Sequence, residues 1–241
     1  MTTTAILLAG GSAARLGVGD NKVYLRLRDV PMVGWSLAAF QRCPLVDDVV
    51  LVVRPEDRDR ATAIASGLDV TKLRTVVDGG DTRHDSERAG LEAIAPDIED
   101  GTVTLVAIHD AARPFVRQAL LDRILRAAAA TGGALPALPL ESEFLLRVDP
   151  SGRSAPVGAA DLRGVQTPQA FRARELLDAY RRADAAGFHG VDTAESVARF
   201  SDLRVTTVEG DPDNTKVTFI EDLIGAEQRA GTWDETPGGT D

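Results

Sequence analysis

The sequence predicts an α/β fold with a mostly parallel sheet and helices on both faces, and three observations carry that reading. Short apolar runs alternate with amphipathic helical stretches along most of the chain. The first run is apolar throughout, not at every second residue, as befits a parallel strand covered on both faces. Turns rich in Gly or charge follow several of the runs, on the edge where ligands bind in open α/β sheets.

Taken in order, Ala5 to Leu8 forms the first strand and is closed by Gly10 and Gly11. Met32 to Phe40 reads as a helix, and Pro31 before it suits the first helical turn. Strands are expected at Val49 to Val53, Arg74 to Val77, Val103 to Ile108, Ala134 to Leu138 and Arg204 to Val208. Helices are expected at Glu56 to Ser66, Arg83 to Ile94, Gln118 to Ala130, Arg172 to Ala186 and Thr193 to Phe200. Residues 139–165 break the alternation. Leu140 to Val148 and Ala155 to Leu162, separated by Asp149-Pro-Ser-Gly, read as a protruding β-hairpin arm. An arm with apolar positions and little core of its own suits packing on a second subunit. The expected organisation is one domain over residues 1–230, the arm included, with a disordered polar tail over 231–241.

Composition narrows the function. The 241 residues suit a single domain with a sizeable core, and 44% hydrophobic with 27% charged residues is ordinary for a globular protein. A formal net charge of −10 argues against a general binder of nucleic acid or anionic membrane. The single Cys43 excludes an internal disulfide and a cysteine-cluster metal site. With no secretory signal and no long apolar run, the expected location is the cytoplasm.

Thr4-Ala-Ile-Leu-Leu-Ala-Gly-Gly-Ser-Ala-Ala-Arg-Leu-Gly, followed by Lys22, runs from a buried strand into a loop of small residues bearing Arg15 and Lys22. Gly10 and Gly11 let backbone N–H groups approach phosphate oxygens, Arg15 offers a fork of donors, and Lys22 offers a compact charge. A Walker loop is excluded because Val18 stands where its Lys belongs, and the dinucleotide fingerprint is absent. The competing reading is a plain strand-to-helix turn with solvated cations.

Three further segments follow strands and so share that edge. In Gly79-Gly-Asp-Thr-Arg-His-Asp-Ser, the side chains of Asp81, Arg83 and Ser86 suit a base edge, although Asp81 or Thr82 also suits a helix cap. In His109-Asp-Ala-Ala-Arg-Pro-Phe, Asp110 suits a ribose hydroxyl or Mg²⁺, Ala111 and Ala112 leave room for a ligand, and Arg113 suits an anion. His109 reads better as a hydrogen-bonded structural residue. Around Asp211-Pro-Asp-Asn-Thr-Lys216 carboxylates accompany a cation, and a solvated acidic turn is the alternative.

Read together, GGDTRHDS at 79–86, HDAARPF at 109–115, QTPQAF at 166–171 and DNTKVT at 213–218 resemble the 2-C-methyl-D-erythritol 4-phosphate cytidylyltransferase family, from Ala5 to about Glu227. The resemblance implies a Rossmann-like fold, a homodimer joined through the arms, CTP and Mg²⁺ as requirements, and transfer of a cytidylyl group to a polyol phosphate with release of pyrophosphate. It implies that Ala9, Gly10, Gly11, Gly80, Asp81 and Ser86 recognise the cytosine, and that Arg15 and Lys22 bind the triphosphate and stabilise the transition state. Asp110 and Ala111 would line the ribose and substrate region, Arg113 would assist the substrate, and Lys216 would bridge the α-phosphate and the incoming phosphate. Mg²⁺ would ride on the nucleotide phosphates, with Asp110 or Asp213 as its candidate protein ligands.

Some positions depart from the family pattern. Ala13 stands for a Gly and Asn21 for a Pro before the lysine. On the arm, Glu143 stands for a phosphate-binding Thr, Leu145 for a Lys and Ala159 for a substrate-binding Arg, with Arg153 and Arg163 as candidate replacements. The expected acceptor is 2-C-methyl-D-erythritol 4-phosphate. Another polyol phosphate such as ribitol 5-phosphate, or nucleotide binding with little catalysis, are the alternatives.

Overall fold

A computed structural model describes residues 2–11, 21–140, 145–158 and 162–237 of the chain. The first strand, β1 (Thr2–Leu8), lies at the centre of an eight-stranded sheet. It pairs in parallel with β4 (Asp48–Val53) on one side and β6 (Val103–Asp110) on the other, and β5 (Leu73–Asp78) extends the sheet beyond β4. Past β6 come β11 (Gln169–Arg172) and β7 (Gly132–Pro139), with β12 (Arg204–Glu209) parallel to β7 at the far edge and β10 (Arg163–Val165) antiparallel to its end. A small ribbon of β2 (Arg26–Leu27) and β3 (Val30–Pro31) precedes the first helix.

The apolar runs explain the two layers. Leu7, Leu51 and Ala107 meet one face with α1 (Met32–Arg42), α2 (Arg58–Gly67), α5 (Gln118–Thr131) and α8 (Ile220–Ala230). Ile6, Val52 and Ile108 meet the other with α3 (Arg83–Glu92), α4 (Ala95–Glu99), α6 (Ala173–Ala185) and α7 (Thr193–Phe200). The central strands thus send alternate apolar side chains into opposite layers, which is why runs such as Ala5 to Leu8 and Val49 to Val53 are apolar throughout. Gly90 lets α3 lie against β1, since a Cβ there would sit 2.7 Å from Ile6 Cγ2.

Expected and observed elements agree with a few physical exceptions. The expected helix over 83–94 ends at Glu92 and a separate turn starts at Ala95, because Pro96 suits only a first helical turn. Residues 56–66 begin as a 3₁₀ turn, Pro55–Asp57, before α2. β11, within the QTPQAF segment, runs antiparallel between β6 and β7, and α8 was not anticipated.

Between residues 145 and 157 an antiparallel pair, β8 (Leu145–Val148) with β9 (Ser154–Val157), stands apart from the main sheet and is shorter than the expected runs Leu140 to Val148 and Ala155 to Leu162, parts of which lie outside the described residues. Its turn is tied by Asp149 Oδ1, which accepts from the Ser151 and Arg153 amides at 2.9 and 3.0 Å. The expectation of a disordered tail from residue 231 is corrected through residue 237. Trp233 is buried against Phe115, with the Arg117 guanidinium 4.0 Å from its ring centroid, and Asp234 pairs with Arg117 at 2.9 Å. One aromatic anchor outweighs the polar composition around it. Among the described residues no helix is long and apolar enough to cross a membrane.

Candidate active site

Register places the ends of four parallel strands on one edge: Leu8 pairs with both Val52 and Asp110, and Val53 pairs with Asp78. The segments following β1, β5 and β6 therefore emerge side by side. The segment after β12 joins them through hydrogen bonds, as Val217 N donates to Ala112 O at 2.9 Å.

At the end of β1 the backbone is held from two sides. Ala9 N donates to Val52 O at 2.7 Å, and Arg54 donates to the carbonyls of Gly10 and Gly11 at 3.2 and 2.9 Å. Asn21, fully enclosed, donates through Nδ2 to Ala9 O at 2.6 Å and to Asp57 Oδ2 at 3.0 Å, while its Oδ1 accepts from Val23 N at 3.3 Å. That last bond caps the 3₁₀ turn Lys22–Tyr24, so Asn21 fixes Lys22 to the start of the loop, which a Pro at that position could not do by donation. Lys22 is buried at the first position of the turn. Arg15 and the rest of residues 12–20 lie outside the described residues, as do Glu143 and Ala159, while Leu145 opens β8.

After β5, Thr82 caps α3 and forms a capping box with Asp85, which resolves the choice of cap in favour of Thr82. Asp81 stays exposed beside it. Gly80 is fixed by the fold as well as by any ligand: its amide donates to Ser86 Oγ at 3.3 Å, and a Cβ there would stand 2.3 Å from Asp85 Cβ. Ser86 Oγ donates to Thr82 O at 3.0 Å, so this hydroxyl shapes the turn that Gly79 and Gly80 open.

The segment after β6 holds the densest charge. Asp110 Oδ2 accepts from Lys216 Nζ at 2.6 Å, and Oδ1 accepts from Arg83 Nε and Nη2 at 3.3 and 3.2 Å. Burial alone would raise the Asp110 carboxyl, but Arg83, Lys216 and Arg113 outweigh it and hold the group well below the usual carboxylate range. Ala111 lies buried under this cluster, its amide donating to Leu8 O at 3.0 Å. Arg113 donates to Asn214 O at 2.7 Å, joining the β6 and β12 segments a second time. Burial lowers the Arg113 guanidinium, and its Nε is enclosed with no acceptor among the described residues.

His109 takes the structural role expected of it. Its Nε2 lies 3.0 Å from Arg113 O and its Nδ1 3.1 Å from Thr167 Oγ1, which also accepts from Asp110 N at 3.1 Å. Burial pushes the imidazole down to about 4, so it stays neutral beside the cations.

Arg83 is the largest surprise in the site. The sequence suggested a base-reading cation, whereas its guanidinium spans from Asp110 to Glu87, with Nη1 2.6 Å from Glu87 Oε1. Glu87 is fully buried and also accepts from Thr193 Oγ1 at 2.5 Å and from the Tyr180 hydroxyl. Burial pushes Glu87 up to about 7 despite the lowering by Arg83, Thr193 and Tyr180. Every one of these neighbours donates to it, an arrangement suited to the ionised carboxylate. Glu87, Tyr180 and Thr193 were not singled out from sequence, the i,i+4 spacing of Arg83 and Glu87 on a helix being the available signal, while Thr167 and Asn214 lay inside the QTPQAF and DNTKVT segments without a role assigned to them.

The donor set does not fit a metal held by the protein. Both Asp110 oxygens already face cations, and Asp213, offered above as a second candidate ligand, binds Arg117 at 3.1 Å and Arg229 at 2.9 Å through separate oxygens. Among the described residues no group of three His, Cys, Asp or Glu side chains is placed to hold an ion. A divalent ion would have to arrive on phosphate oxygens.

Comparison with known proteins agrees with this geometry. The family model described as IspD, 2-C-methyl-D-erythritol 4-phosphate cytidylyltransferase, matches residues 3–230. A bifunctional enzyme IspD/IspF of Rhodopseudomonas palustris is 41% identical over 231 residues, covering 94% of this chain and 55% of the relative. The chain thus spans about half the length of the curated relatives it matches. A 4-diphosphocytidyl-2C-methyl-D-erythritol synthase structure from Anaerococcus prevotii superposes with a TM-score of 0.79 at 25% identity, covering 94% of this chain and 95% of that one. The 2-C-methyl-D-erythritol 4-phosphate cytidylyltransferase of Thermus thermophilus gives a TM-score of 0.72 at 28% identity, covering 94% and 98%.

Proposed function

The chain belongs to the 2-C-methyl-D-erythritol 4-phosphate cytidylyltransferase family, and on that premise we propose that it transfers the cytidylyl group of CTP to 2-C-methyl-D-erythritol 4-phosphate. The observation that carries the reading is the junction of Lys216, Asp110 and Arg83 beside the Ala9–Gly11 backbone at one sheet edge. It supplies positive charge anchored by buried partners, as phosphoryl transfer without a covalent nucleophile requires.

In this reading a phosphate oxygen of the acceptor bonds to the α-phosphorus of CTP. The bond from that phosphorus to the β-phosphate bridging oxygen breaks, and pyrophosphate leaves with the electron pair. The amides of Gly10 and Gly11 face the nucleotide, with Gly80, Asp81 and Ser86 on its base side and Ala111 beneath the ribose. Lys22 and Arg15 take the charge that builds on the leaving pyrophosphate. Lys216 gives one of its three N–H donors to Asp110 and keeps the others for the α-phosphate and the acceptor phosphate. Arg113 adds charge on the acceptor side. Mg²⁺ bound to the triphosphate would neutralise phosphate charge. The β8–β9 arm would join two subunits, bringing acceptor contacts from the partner.

The test is pyrophosphate release by the purified chain with CTP, Mg²⁺ and a panel of polyol phosphates. Release with methylerythritol phosphate supports the reading. Release with ribitol 5-phosphate alone assigns another acceptor, and CTP binding with no release under any acceptor refutes transfer.

A further inference from the structure

We propose that Glu87 is a positioning residue for the transfer reaction, acting through Arg83 to keep one oxygen of Asp110 available for Lys216. The inference rests on the function proposed above for the reaction it affects, and on geometry alone for the contact it controls.

An arginine beside a carboxylate prefers a fork in which two N–H groups take both oxygens. Arg83 does not do this. Its Nε and Nη2 both fall on Oδ1 of Asp110, at 3.3 and 3.2 Å, while Nη1 is drawn away to Glu87 at 2.6 Å. Oδ2 is left to Lys216 at 2.6 Å. Glu87 therefore competes with Asp110 for the same guanidinium, and the competition decides how Asp110 divides its oxygens.

The contact is built to stay in place. Glu87 sits on α3 one turn after Arg83 and is 0% exposed. Its two oxygens are occupied from other elements, by Thr193 at the start of α7 and by Tyr180 of α6, itself fully buried. A buried carboxylate is costly unless every lone pair is used, and a helix facing the core would ordinarily carry an apolar residue here. In charge terms the chain Glu87, Arg83, Asp110, Lys216 alternates in sign. Removing its first member leaves Arg83 unbalanced and free to close its fork over Asp110, which displaces Lys216 from the carboxylate. Lys216 would then lose its alignment toward the reacting phosphates, while the Ala9–Gly11 backbone, held by Asn21 and Arg54, would be untouched.

The test uses the full chain with Glu87→Gln, which keeps shape and removes charge. Two readouts are taken on folded protein, verified by circular dichroism. The first is the rate at which Lys216 is acylated by an amine-reactive reagent, followed by mass spectrometry without any substrate; it is expected to rise at least threefold. The second is steady-state transfer, where kcat is expected to fall at least tenfold with KM for CTP within twofold of wild type. Should Glu87→Gln fail to fold, Thr193→Ala removes a single donor to Glu87 and is expected to shift both readouts in the same direction, with Thr193→Ser restoring them. Unchanged Lys216 acylation in the folded variant overturns the inference. Because acylation needs no turnover, a wild-type chain that transfers nothing would refute the proposed reaction and leave this result to be read separately.

Discussion

Lys216 Nζ donates to Asp110 Oδ2 at 2.6 Å across 106 positions of sequence, tying the segment after β12 to the end of β6. Neither residue has this partner in its own neighbourhood of the chain, so the pair exists only when the sheet is complete. It orients an ammonium that is still 39% exposed toward the edge where the other segments meet.

Breaking that pair separates its role from nucleotide binding. Asp110→Asn removes the charge that orients Lys216 and Arg83 and is expected to lower kcat/KM for transfer about hundredfold, roughly 3 kcal/mol, the usual worth of one preorganised electrostatic contact. CTP affinity measured by calorimetry should change less than threefold if the Ala9–Gly11 backbone and Lys22 carry it. Equal losses in binding and transfer would instead make Asp110 a nucleotide ligand first.

On the nucleotide side, Lys22→Ala and Arg15→Ala are each expected to reduce kcat at least a hundredfold by removing charge from the leaving pyrophosphate. Steady-state pyrophosphate release at saturating CTP measures this. Near-wild-type turnover in either variant removes that residue from the chemistry.

The stability of the fold should depend on pH through His109. Its folded value is about 4 against an ordinary 6.5, because burial disfavours the cation. The unfolded chain therefore binds the proton first as pH falls. The stability is fully present above pH 6.5 and drains away between there and about pH 4, by about 3 kcal/mol in all. Over pH 7.5 to 4.5 the raised Glu87 works in the opposite sense, because the folded chain takes up that proton first, so the reading is a difference: the urea midpoint of His109→Gln, whose side chain does not titrate, should rise relative to wild type as pH falls. Parallel slopes for the two proteins would show that His109 is not the group responsible.

Trp233 fastens residues 231–237 to the segment that leads into α5. With the indole 7% exposed against Phe115 and Arg117, Trp233→Ala is expected to cost roughly 3 kcal/mol, read as a lowered urea midpoint. A midpoint equal to wild type would mean that residues 231–237 contribute nothing to the folded state.

Much of the fold was legible because strand burial leaves a local mark. Val49 to Val53 is apolar at every position and Val103 to Ile108 at all but Thr104, and they emerged as β4 and β6 with only end residues added. β11 was missed because Gln169-Ala-Phe-Arg is too short to show a period, and its place between β6 and β7 is a property of the sheet. In the site, strand-end positions told where Asp110 and Lys216 would lie, and Gly80 was legible through its turn. The destination of Arg83 was not. A cation in a loop-to-helix segment reads as a ligand contact, and only the packing of α3 against α6 and α7 shows that Glu87, itself held by Thr193 and Tyr180, claims it. Asp213 misled for the same reason, its partners Arg117 and Arg229 lying on elements distant in sequence or not foreseen. Trp233 shows the converse error, since one large apolar side chain decided the course of a segment whose composition was polar.

The central claim is that an acceptor phosphate, and not water, attacks the α-phosphorus of CTP at the edge formed by Ala9–Gly11, Asp110 and Lys216. Phosphorus NMR of the purified chain with CTP, Mg²⁺ and methylerythritol phosphate tests it most directly. The account requires the triphosphate and monoester resonances to be replaced by free pyrophosphate and a new pair of coupled diphosphate-diester signals in equal amounts. Pyrophosphate accompanied by CMP, with the monoester unchanged, would contradict it.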